Sequence, residues 1–91
     1  NFMSVRYSRI KNVLSKEFTP LNLVIRDDSA LHANHGNVKK GDTETHFYIK
    51  IISPVFNNKT KIAMHKMVYK ILDKEFSKGL HSLELDLRGT I

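Results

Sequence analysis

The chain contains no cysteine. That excludes a disulfide scaffold, a cysteine-based zinc ribbon and a ferredoxin that holds its iron–sulfur cluster unaided. No apolar run approaches the roughly 18 residues that a membrane span needs, so no membrane partner is expected. There is no internal repeat and no low-complexity tract. No Walker loop, nucleophile elbow, HExxH pattern or EF-hand loop is present. Serine, histidine and aspartate occur without a catalytic motif, and the chain is not expected to be an enzyme.

What is there suits one small domain. Hydrophobic residues are 41% and charged residues 26% of 91 positions, which is ordinary for a globular chain. The expected unit is 1–91, with a core over about 3–88. A domain of this size buries only about two-thirds of its unfolded surface. Lys and Arg number 15 against 9 Asp and Glu, a net +6, which favours anionic partners. The chain starts at Asn1 rather than Met, which is compatible with a targeting peptide removed beforehand.

Periodicity predicts helix, strand, long loop, strand, helix, strand. Met3, Tyr7, Ile10, Val13, Leu14 and Phe18 recur every three or four residues, with Arg6, Arg9, Lys11 and Lys16 between them. That is an amphipathic helix with a basic outer face. Pro20 stops it and biases Thr19 toward extended backbone. Leu21, Leu23 and Ile25 then share one face of a strand that Asp27, Asp28 and Ser29 end. A second strand runs from Thr45 to Ser53, with Phe47, Ile49 and Ile51 on one face and His46, Tyr48, Lys50 and Ile52 on the other. A helix is predicted over about 59–78, its buried stripe made by Ile62, Met64, Met67, Val68, Ile71, Leu72 and Phe76. Gly79 suits a left-handed cap, and Asn58 tolerates positive φ. Leu83, Leu85 and Leu87 alternate with Glu84, Asp86 and Arg88 in a last strand. The expected fold class is α+β, a two-layer sandwich of three strands with helices on one face.

The stretch between the first two strands, about 17 residues from Asp28 to Glu44, is longer than loops inside compact domains usually are. It carries His32 and His35. Two imidazoles three residues apart can serve a metal, or can be plain solvated side chains. His81, just before the last strand, is the next candidate; the alternative is an edge histidine with an ordinary hydrogen bond. His46 and His65 lie inside regular elements, where a structural hydrogen bond is the simpler role. Lys66, Lys70, Lys74 and Lys78 recur every four residues, either as a phosphate-binding stripe or as the wet face of a helix.

Four segments resemble the BolA family, in order and at the family's spacing: LVIRDDSALHANH (Leu23 to His35), ETHFYIKIIS (Glu44 to Ser53), VFNNKTKIAMHKMVYKILDKEF (Val55 to Phe76) and GLHSLEL (Gly79 to Leu85). The resemblance covers about Ile10 to Leu87. It implies an α-β-β-α-α-β domain similar to a type II KH fold, with a short helical turn before the long helix. Two departures stand out. The family's Arg-His-Arg-like triplet reads Met64-His65-Lys66, and the glycine usual after the Phe-x pair is Asn58. No GxxG loop of the kind that clamps a nucleic-acid backbone lies between the helices.

The resemblance further implies a monothiol glutaredoxin as partner, in a heterodimer that shares a [2Fe–2S] cluster with glutathione. It implies His81 as one cluster ligand and a loop residue as the other, His32 first and His35 as its alternative. The absence of cysteine is consistent with this, because the chain offers only imidazoles and the sulfur must come from the partner. Imidazole binds metal when neutral, so such an assembly weakens as pH falls through the ordinary histidine range. Bacterial members imply the alternative, a KH-like DNA-binding transcriptional regulator using Lys66, Lys70, Lys74 and Lys78. The loop histidine resembles organellar members and points to the mitochondrion, with the cytoplasm as alternative.

Overall fold

A computed structural model describes residues 5–29 and 45–91. Helix α1 (Val5–Phe18) is followed by β1 (Asn22–Asp27) and β2 (His46–Ile52). A single 3-10 turn (Pro54–Phe56) leads to α2 (Lys61–Ile71), α3 (Asp73–Ser77) and β3 (Ser82–Arg88). The sheet order is β1-β2-β3. β1 is antiparallel to β2, with Ile25 opposite Ile49, and β3 is parallel to β2, with Ile49 opposite Leu85. The expected α+β sandwich, with its short turn before the second helix, is the architecture found.

Alternation fixes the sheet's inner face. Phe47, Ile49 and Ile51 are buried while their neighbours on β2 are half-exposed. They meet Ile10, Leu14 and Phe18 of α1 and Met64, Val68 and Leu72 of the helical layer in one core. Ser53 joins the layers at the end of β2. Its buried hydroxyl donates to the Phe18 carbonyl, one of the acceptors a helix end leaves open, and accepts from the Val55 N–H.

Several details depart from the sequence reading. The helix predicted over 59–78 is two helices, because Leu72 leaves helical geometry at φ −97° and ψ 12° and its N–H is shared between Lys70 and Val68 carbonyls. Ile62 is outside the buried stripe and 69% exposed; it lies two residues, about 200° of helical rotation, from Met64. Leu21 precedes β1 and is exposed. Thr19 takes φ +37° instead of extended backbone, ending α1 with its N–H on the Ser15 carbonyl. Arg6 and Arg9 do not simply face water: both bind Glu75 of α3. Gly79 (φ +118°) and Asn58 (φ +63°) take the positive φ expected of them. Met3 lies outside the described residues.

Candidate functional site: two imidazoles at one corner of the sheet

The route to His81 is held at three points. Glu75 is buried and accepts from Arg6 Nε at 3.2 Å and from Arg9 Nε and Nη2 at 2.8 Å. The hydrogen bond from Arg9, joined by Arg6 and opposed by burial, holds its carboxyl below the usual carboxylate range. Arg6 also donates to the Lys78 carbonyl, beside Gly79. Leu80 then plugs into the core, and its N–H returns to the Glu75 carbonyl at 3.0 Å. The backbone emerges at His81, whose N–H donates to the Thr45 carbonyl at 2.7 Å.

Parallel pairing sets what lies next to it. His46 opens β2 and stands opposite Ser82, the first residue of β3. The rings of His46 and His81 therefore meet, with centroids 5.7 Å apart and planes tilted by 54°. His46 Nδ1 is hydrogen-bonded to the Thr45 hydroxyl at 3.0 Å, while His81 is exposed. Two imidazoles do not complete a cluster that needs four ligands. Among the described residues no group of three or more His, Cys, Asp and Glu is placed to hold a metal ion.

The same corner carries both ends of the stretch 30–44. The Asp28 N–H donates to the His46 carbonyl at 2.7 Å, and Ser29 is buried with its N–H on Asp27 Oδ1 at 2.9 Å. The chain thus leaves β1 beside His46 and re-enters at Thr45. His32 and His35 lie outside the described residues.

The other candidates separate from this corner. His65 has the structural bond expected of it, its Nδ1–H donating to the Lys61 carbonyl at 2.9 Å. Lys66, Lys70, Lys74 and Lys78 are all exposed, but the first two belong to α2 and the others to α3 and its cap. The sequence reading missed the neighbourhood of His46 and His81. Only the parallel register brings them together, and no periodicity within either segment carries that information.

The family profile described as BolA-like protein matches residues 14–90. The chain belongs to the BolA family. This BolA-like chain is 42% identical over 81 residues to "Protein BOLA1, chloroplastic" of Arabidopsis thaliana, covering 88% of itself but only 51% of that relative. It thus spans about half the length of that protein. It is 35% identical to the "DNA-binding transcriptional regulator BolA" of Haemophilus influenzae, covering 86% of itself and 71% of that protein. Among solved structures, the BolA domain of SufE1 from Arabidopsis thaliana superposes with a TM-score of 0.86 at 34% identity, covering 97% of this chain and 95% of that one.

Proposed function

We propose that this BolA-like chain is an iron–sulfur cluster assembly or trafficking factor. It binds a monothiol glutaredoxin and shares a [2Fe–2S] cluster through histidine. The observation that carries the reading is His81, an exposed imidazole fixed by its own backbone at a sheet corner in a chain without cysteine. His81 is the first donor. His32, with His35 as its alternative, is the second, and the segment bearing both is anchored at this corner through Ser29 and Thr45. His46 lies against His81 and limits how its ring turns. The cluster supplies electron-accepting iron and sulfide. The chain's part is to present neutral nitrogen, and the glutaredoxin and glutathione supply thiolate. The mitochondrion as site of action, with the cytoplasm as the alternative, goes with this reading; the Arabidopsis relative's name is chloroplastic.

The test is reconstitution with a monothiol glutaredoxin, glutathione, iron and sulfide, read by visible circular dichroism. The expected result is a heterodimer with a spectrum unlike the glutaredoxin homodimer, lost in His81→Ala and altered in one of His32→Ala and His35→Ala. An unchanged spectrum in His81→Ala refutes the assignment.

The relative named as a DNA-binding regulator and the four exposed lysines favour a second reading, a transcriptional regulator that contacts phosphate. It predicts duplex DNA affinity that falls steeply with salt, survives His81→Ala and drops when Lys66 and Lys70 become Glu.

A further inference from the structure

We propose that the outward face of α2, centred on Ile62, docks an acidic protein segment that presents a bulky apolar side chain. Ile62 is 69% exposed and Tyr69, two helical turns further on, is 41% exposed. Positions i, i+3, i+4 and i+7 share one face of a helix, so His65 and Lys66 lie between them. Together with Lys61 these residues line a shallow hollow of about 480 Å³. A lone exposed aliphatic is ordinary. One set beside an exposed aromatic, over a hollow, is how interface centres are built.

The face is preorganised. The Tyr69 ring stacks on Phe76, with centroids 5.4 Å apart and planes within 13°. His65 is pinned to the Lys61 carbonyl. Less side-chain freedom is therefore lost when a partner arrives.

Charge chooses the partner. Lys61 and Lys66 flank the hollow, Lys70 follows on the next turn, and among the described residues no carboxylate lines it. The first turn of α2 carries no acidic residue, so the positive helix end is not neutralised locally. A second copy of this face would set lysine against lysine, which disfavours self-pairing through it. Single-stranded nucleic acid would gain from a series of stacking rings, whereas the centre of this face is the aliphatic Ile62. An acidic segment with one or two leucine-like side chains matches both the rim and the centre. α2 starts beyond the end of β2 opposite His46, and neither His46 nor His81 lines the hollow.

The test uses a fluorescein-labelled acidic peptide of glutamates with two leucines one helical turn apart. An all-glutamate peptide and oligothymidylate are the comparisons, read by anisotropy and by amide shifts of the folded chain. The expected result is binding by the leucine-containing peptide, with shifts confined to 61–70. Ile62→Asp and Lys66→Glu should each weaken it about tenfold, and the all-glutamate peptide should bind about tenfold more weakly. Ile62 is exposed, so Ile62→Asp should keep the native circular dichroism spectrum; Lys66→Glu stands as the second variant if it does not. Equal binding of both peptides, tighter binding of oligothymidylate at the same residues, or self-association that Ile62→Asp abolishes each overturns the proposal.

Discussion

Ser53 shows how much rests on single atoms here. Its hydroxyl is buried and serves a helix-end carbonyl and a turn N–H at once. Ser53→Ala should cost about 1–3 kcal/mol, read as a lower urea midpoint with an unchanged slope. Gly79 has φ +118°, and a Cβ there would stand 3.2 Å from Arg6 Nη2. Gly79→Ala should cost about 1–2 kcal/mol and also displace His81, two residues on. Single residues were legible where backbone chemistry is local. Gly79 and Asn58 announce positive φ, because few other residue types accept it. Thr19 does not, since a β-branched residue disfavours that region and only the end of α1 requires it. Arg6 and Arg9 read as solvent-facing because their partner, Glu75, lies far along the chain.

Between elements, the joint of α1 with α3 is ionic. Arg6 is largely buried, with 12% of its side chain exposed, whereas Arg9 is 39% exposed. Removing the carboxylate with Glu75→Gln takes a counter-charge from both Arg6 and Arg9. The expected cost is about 2 kcal/mol, below the usual figure for a buried pair because Arg9 remains hydrated. The carboxyl's lowered folded value fixes the sign with pH. The unfolded chain binds this proton more readily, so the joint's full stabilisation is present above the ordinary carboxylate range. It is lost as pH falls through the folded value. Urea midpoints across that range should therefore decline more steeply in the wild type than in Glu75→Gln. Elements themselves were legible from periods of two and three to four. The break at Leu72 was not, because Lys70 to Phe76 keeps a helical hydrophobic pattern through it.

At the scale of the whole molecule the core is small and every layer meets β2. Ile49 is fully buried at its centre, and Ile49→Ala should cost about 3–4 kcal/mol, read by thermal or urea unfolding. The layer architecture followed from alternation and amphipathic faces alone. Of the candidate site, the segment GLHSLEL singled out His81, while the contact of His81 with His46 depends on the pairing of two strands far apart in sequence, which no periodicity within either encodes. That pairing also governs when the corner comes into being. β3 follows in sequence everything it packs upon, and its slot beside β2 takes a strand delivered by the whole α2–α3 crossover. A nascent chain emerging from the ribosome therefore holds β2 with one neighbour until residue 88 is clear of the tunnel. The two imidazoles meet only then, so the corner they form is the last part of the sheet to be completed.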